Sequence, residues 1–270
     1  MFVAGLCFIT KSQTQPQFFT IKEKINSYTR LIIINHSSNV NGIIQDIEKI
    51  SKIAKSYKIP LLIDASQTAG IINIDASEFD MIAFPGHKRL YGPQGTGGLY
   101  ISPDIKLKTL IEGGTGSNSK SFFNPSEIPD RFESGTLNTP GFCGLKAGVE
   151  FVLKEGIDSI RKYEHYLLNI LLDSLYNMKN ITVYSPKSAE LISNSIAFNI
   201  NKKDSVETAN ILDEKFDICV RAGFHCAYPA HKTLKSDSHG SVRISVSYFN
   251  TVNEIKEVVE AVYKISNSLI

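Results

Sequence analysis

The chain has 270 residues, of which 42% are hydrophobic, 10% aromatic and 21% charged, an ordinary globular composition. Twenty-nine Lys and Arg against 27 Asp and Glu give a formal charge of +2. That balance argues against a nucleic acid as the main partner, and no apolar run reaches the ~18 residues of a membrane span. The four cysteines, Cys7, Cys143, Cys219 and Cys226, have neither the density nor the spacing of a disulfide scaffold. They point to a reducing compartment, the cytoplasm.

The first ten residues, MFVAGLCFIT, are apolar but lack a basic leader and a small-x-small cleavage site. They read as a strand or helix near the start, or as the edge of a domain whose earlier part is missing. Residues 31–35, LIIIN, read as a buried strand closed by His36, Ser37, Ser38 and Asn39. Ile43, Ile44, Ile47, Ile50, Ile53 and Ala54 then recur at helical spacing. Pro60 follows, and Leu61–Ile63 is the next strand, ending in Asp64. A short helix is possible near Thr68–Ile72. Met81–Phe84 and Gly98–Ile101 read as two more strands. Alternating strands and helices with apolar strands predict an α/β chain with a mostly parallel sheet.

Residues 113–121 and 123–141 are rich in Gly, Ser, Asn and Pro and predict a long loop, a kind of segment that is usually functional or disordered. Helical patterning resumes near 142. Ile160, Tyr163, Leu167, Leu168, Leu171, Leu172 and Leu175 form the stripe of a long helix. Ile181–Tyr184, Ser195–Ile200, Ile218–Arg221 and Val242–Val246 read as strands. Thr251 with Glu254 fits a capping box ahead of a last helix buried through Ile255, Val258, Val259, Val262 and Ile265. The pattern divides the chain into residues 1–145, part of a larger unit, and 146–270, a smaller α/β unit.

Three clusters carry chemistry. Asp64 and Gln67, in LLIDASQTAG, stand at the carboxyl end of a strand, where α/β proteins bind ligands; a capping aspartate is the alternative. Lys88 follows the strand and loop FPGHK. A lysine partly withdrawn from water has a lowered pKa and can form a Schiff base; a plain surface lysine is the alternative. His87 beside it can donate to an anion. The glycines of GPQGTGG lack the closing Lys-Ser/Thr of a P-loop. The third cluster is Arg221, His225 and Cys226. Its neighbours favour the Cys226 thiolate. Cys226, His231 and His239 lack a compact metal-binding spacing, so no metal is expected. Cys219 and Cys143 read as buried packing. Arg243 lies between Val242 and Ile244; it needs a substrate carboxylate or an internal salt bridge, unless it faces out from an edge strand.

These segments together resemble the class V aminotransferase family, in particular its cysteine desulfurase-like members. The resemblance rests on HSSNVNG at 36–42, LLIDASQTAG at 61–70, FPGHKRLYGPQGTGGLY at 84–100, RFESGTLNTPG at 131–141, RAGFHCA at 221–227 and SVRISVSYFNT at 241–251. It implies the fold of type I pyridoxal 5'-phosphate (PLP) dependent transferases, that of aspartate aminotransferase. By that resemblance Lys88 is the lysine that binds PLP and moves protons, and Asp64 pairs with the pyridinium nitrogen. Gln67 and Asn39 contact the ring hydroxyl and the substrate side, and His87 reaches the phosphate. Gly135 and Thr136 reach the phosphate of a neighbouring subunit, which implies a homodimer. Arg243, with Arg221 and Asn39, holds the substrate, and Cys226 accepts sulfur.

The implied activity is a PLP-dependent cysteine desulfurase that turns L-cysteine into L-alanine and passes sulfur to Cys226, with a sulfur-acceptor protein as a further partner. A selenocysteine lyase, another PLP lyase or aminotransferase, and an inactive fragment that only binds or dimerises are the alternatives. Two positions depart from the family pattern. Phe224 stands where the loop has its first histidine, and Pro85 stands where many members have a hydroxyl donor to the phosphate; proline supplies neither hydroxyl nor N–H. The resemblance also implies more chain ahead of residue 22, with a glycine-rich turn under the phosphate and a residue stacked on the ring, neither found in residues 1–30. An incomplete large domain is therefore expected, with poor solubility or weak PLP binding.

Overall fold

The computed structural model describes residues 18–117 and 120–269; the apolar start MFVAGLCFIT lies outside them. Four strands, β1 (Ile32–Asn35), β2 (Leu61–Asp64), β3 (Met81–Pro85) and β4 (Gly97–Ile101), form one sheet in that order. The first three run parallel and β4 returns antiparallel to β3. The expected mostly parallel sheet is therefore present, and the carboxyl ends of β1, β2 and β3 open on one side.

Helix α1 (Phe18–Lys24) precedes β1. Helix α2 (Ile47–Ser56) begins where Asp46 accepts the Lys49 N–H, about one turn later than the periodicity from Ile43 alone suggests. Ile43 and Ile44 are not helical. They make isolated bridges, Ile43 with Ile192 and Ile44 with Ser37, because the cap fixes where helical backbone can start. Ile47, Ile50, Ile53 and Ala54 then bury against Ile32, Ile34, Leu61 and Ile63. Each fully buried large aliphatic side chain contributes ~1.5–3 kcal/mol relative to exposure. The short helix expected near Thr68–Ile72 is only a pair of turns. Gly70, at φ +97°, departs from helical backbone there.

A second sheet, β5 (Ile181–Val183), β6 (Ser195–Ile200) and β7 (Val242–Ser245), is antiparallel throughout. Its core joins Ile196, Phe198 and Ile200 to the leucine stripe of α4 (Ile157–Asn177) and to Ile255, Val262 and Ile265 of α7 (Val252–Ser266). The capping box at Thr251 and Glu254 is formed on both sides. Helix α3 (Thr139–Glu155) leads into α4, and α5 (Ser205–Phe216) and α6 (Tyr228–Leu234) complete this half. Between β4 and α3 runs the long loop, tied internally by Arg131 donating to the Leu107 carbonyl and Gly135 N–H to Gly114.

Two expectations need correction. Ile218–Arg221 is not a strand. Asp217 closes α5 in left-handed backbone at φ 56°, and the Ile218 N–H returns to the Leu212 carbonyl. Only Arg221 pairs, bonding in both directions with Arg243. Cys143 and Cys219 are exposed rather than buried: Cys143 faces outward on α3, and Cys219 follows a helix cap instead of entering a sheet.

Candidate functional site

The carboxyl ends of β1, β2 and β3 each deliver one side chain or loop. Asn35, last in β1, donates its side-chain amide to Asp64 Oδ2 at 3.1 Å, and the Ser66 N–H donates to Oδ1 at 2.9 Å. Both contacts orient the Asp64 carboxylate at the end of β2. After β3, residues 86–92 close on themselves: the Gly92 N–H donates to the Gly86 carbonyl, and Gly86 N–H to the Thr96 carbonyl, both at 2.8 Å. Lys88 sits on this loop, half-buried. Burial lowers its pKa, Asp64 pulls it back up, and Arg243 and Arg221 lower it further. Those four charges therefore share one neighbourhood.

The other wall comes from the second sheet. Arg243, on β7, donates to the Asn39 carbonyl at 2.7 Å, and the Asn39 amide donates to the His225 carbonyl at 2.7 Å. Among the described residues no carboxylate pairs with Arg243, and its buried Nε has no partner. Burial lowers its pKa, first among causes, with Arg221 adding to the effect. Cys226 is exposed, and Arg221 donates to its Sγ at 3.4 Å. The loop is unusual in backbone: His225 and Cys226 stand at φ 50° and 60°. Two consecutive left-handed non-glycine residues cost ~1–3 kcal/mol each. The His225 ring pays that back in part by burial and by Nε2 contact with Ser241 at 3.0 Å. Burial also holds the His225 pKa at about 4, so the ring is neutral.

The sequence-level candidates divide accordingly. Lys88, Asp64, Arg243, Arg221 and Cys226 are brought together, with Asn39 bridging Arg243 to the cysteine loop. Gln67 is half-buried in the turn after β2, and His87 is exposed beside Lys88. Gly135 and Thr136 are exposed on the long loop. Cys226, His231 and His239 take separate partners: Arg221, Ser236 at 2.8 Å and Asp204 at 3.4 Å. A cleft of about 680 Å³ between α2 and residues 72–79 is lined by His36, Ser51 and Phe79, and none of the Lys88 group borders it. Chemistry rather than cavity volume marks the site.

Sequence reasoning missed Asn35 and Ser241, which orient Asp64 and His225. An asparagine closing a strand beside a strand that ends in aspartate is a signal that could have found the first. Ser241 lies 16 residues from His225 and left no local signal.

A parallel sheet whose open end presents a lysine, a carboxylate and a converging arginine, with a smaller antiparallel unit closing over it, is the fold of type I PLP-dependent transferases. The chain belongs to the class-V aminotransferase family, whose profile matches residues 7–258. It is 36% identical over 253 residues to a probable cysteine desulfurase of Methanothermobacter thermautotrophicus, covering 91% of this chain and 63% of the relative. It is 36% identical to a cysteine desulfurase of Wigglesworthia glossinidia brevipalpis, covering 92% and 61%. Among solved structures it resembles a cysteine desulfurase from Thermococcus onnurineus, in its apo form, with TM-score 0.82 and 29% identity over 95% of this chain and 64% of that one. The cysteine desulfurase CsdA from Escherichia coli superposes with TM-score 0.86 at 26% identity, over 96% and 64%. The chain thus spans less than two thirds of the length of these proteins.

PLP is the cofactor of this family, and the donor set fits it. Lys88, Arg221 and Arg243 outnumber Asp64, and the unpartnered Arg243 Nε is a buried donor. Such a surplus of cations suits a phosphate and a carboxylate. The lowered pKa of Lys88 suits a nucleophilic amine.

Proposed function

We propose that this chain carries the reacting side chains of a PLP-dependent cysteine desulfurase, which turns L-cysteine into L-alanine and receives the sulfur on Cys226. The observation that carries the reading is the shared field of Lys88, Asp64, Arg221 and Arg243, with the Cys226 Sγ 3.4 Å from Arg221. When bound, PLP supplies an electron sink for the amino acid. Lys88 Nζ holds the cofactor and, once released, moves protons. Asp64, pinned by Asn35 and Ser66, would pair with the ring nitrogen. Arg243 binds the substrate carboxylate, and Arg221 orients the Cys226 sulfur through its hydrogen bond. That sulfur takes the substrate's sulfur as a persulfide; the S–S bond forms as the C–S bond breaks, and the carbon gains a proton. Gln67 and His87 serve the ring hydroxyl and the phosphate.

The same reading proposes a homodimer. Leu110, Ile111, Phe122 and Phe123 are exposed on the long loop, Phe122 fully, and an apolar surface of that kind is covered in an assembly. Gly135 and Thr136, on the same loop, would reach the partner's phosphate site. A sulfur-acceptor protein would meet the exposed Cys226. The unpaired Cys143, Cys219 and Cys226 suit the cytoplasm. Among the described residues, no helix is long and apolar enough to cross a membrane. The same reading divides the chain near residue 145, inside α3, between the residues of the first sheet and those of the second.

The test is to supply PLP and L-cysteine and to measure alanine and protein persulfide. Lys88→Ala should lose both products and the lysine-bound cofactor absorbance. Cys226→Ser should keep the absorbance and lose the persulfide. Alanine formation undiminished in Cys226→Ser points to a selenocysteine lyase or another PLP lyase. Absence of cofactor uptake by the parent chain points to a module that only binds.

A further inference from the structure

Arg89 follows Lys88 directly, yet its side chain runs away from solvent. It is 7% exposed, and its guanidinium meets the carboxylate of Glu164, 1% exposed, on α4. The same guanidinium donates to the Val246 carbonyl at 3.3 Å. Val246 lies three residues beyond Arg243 on the same strand direction, and its own N–H is pinned to Asn194 at 2.9 Å. On its other side the Arg89 backbone presses on the turn that follows Asp64. A Cβ placed on Gly70 would stand 2.6 Å from the Arg89 carbonyl. One residue therefore touches the turn after β2, the long helix α4 and the end of β7.

Stability alone does not account for this pair. Burying two charges costs several kcal/mol per ion, and apolar replacements of similar volume are often neutral or better. The pair is also incompletely satisfied: Arg89 Nε and Glu164 Oε1 have no partner, nor has Arg161 NH1, one turn earlier on α4. Burial raises the Glu164 pKa while Arg89 opposes the rise. What the pair does supply is direction. A guanidinium fork held by a carboxylate and a carbonyl fixes both distance and angle.

We propose that Arg89 and Glu164 are positioning residues that lock the Lys88 loop to the strand carrying Arg243, and so set the spacing of the cofactor lysine from the substrate arginine. Its meaning for chemistry rests on the cofactor reading above; its structural content does not. Residues 86–92 close through their own backbone bonds, but those bonds do not tie the loop to the second sheet. Arg89 does, and a misplacement of about 1 Å at such a site costs ~100-fold in rate.

The test uses the full chain with Arg89→Met and Glu164→Leu combined, which removes both charges and keeps the space filled. Urea unfolding reads global stability, amide hydrogen exchange of the cofactor-free chain reads residues 86–92, and titration with PLP reads uptake. The expected result is an unfolding midpoint close to the parent's, with exchange at 86–92 faster by roughly tenfold, the effect of losing one hydrogen bond to a charged group. PLP affinity and KM for L-cysteine should worsen by a similar factor. Parental exchange at 86–92 in the folded double variant overturns the proposal. If the double variant does not fold, Arg89→Lys decides. It keeps the charge facing Glu164 but cannot reach Val246 as well, so unchanged exchange there also overturns it. If the parent takes up no PLP, the functional reading falls, and hydrogen exchange still judges the positioning.

Discussion

Gly148 offers a test in which two well-known effects oppose each other. It lies inside α3, where alanine is intrinsically better than glycine by ~0.8–1 kcal/mol. On an unpacked helix Gly148→Ala would therefore stabilise. In this structure a Cβ at Gly148 would stand 2.1 Å from the Leu90 carbonyl oxygen and 2.9 Å from the Tyr91 carbonyl carbon. Both are backbone atoms of the loop that carries Lys88, so no rotamer change relieves the clash. Helix and loop must part by about 1 Å, at the upper end of the ~1–3 kcal/mol that overpacking costs. The net expectation is destabilisation of ~2 kcal/mol. Gly144 calibrates it, because its Cβ would meet only the Pro93 ring at 3.0 Å, and Gly144→Ala should change stability by less than ~1 kcal/mol. Urea unfolding of the three chains measures the difference, and PLP titration reads the displaced loop. A Gly148→Ala chain more stable than its parent would refute the close approach of α3 to residues 86–92.

Other predictions concern pH and capping. Burial holds the pKa of His36 and of His225 at about 4, against ~6.5 in the unfolded chain. Between these values the unfolded state binds more protons, so stability is complete above about pH 6.5 and falls as pH drops toward 4, by on the order of 3 kcal/mol per imidazole. Urea midpoints taken between pH 7.5 and 5 should decline, and His36→Gln or His225→Gln should flatten the decline; a flat parent profile would sink the argument. Thr251 accepts the Glu254 N–H at 3.2 Å and completes the capping box of α7. Thr251→Ala should cost ~1 kcal/mol by the same measurement, and an unchanged midpoint would show that α7 is held by packing alone. Phe198 is fully buried at the centre of the second core, and Phe198→Ala should cost ~3–5 kcal/mol; a loss under ~1 kcal/mol would contradict that packing.

The chain's own order of residues determined most of the elements. The leucine stripe of α4, the capping box of α7 and the apolar runs of β1 to β3 are local patterns, since period and cap chemistry record which face of an element is buried. The motifs also named Lys88, Asp64, Arg243 and Cys226 before any fold was in hand. Tertiary structure decided what those residues touch. The sequence left Arg243 open between a substrate carboxylate, a salt bridge and an exposed edge; the fold gives it the Asn39 carbonyl, 204 residues away, and, among the described residues, no carboxylate. Cys143 and Cys219 read as buried and are exposed, because local apolarity does not say whether another element covers it. Arg89 and Glu164, 75 residues apart, are each unremarkable polar residues in their own segments. Only the docking of the Lys88 loop against α4 makes them a pair, and long-range docking leaves no trace in local periodicity.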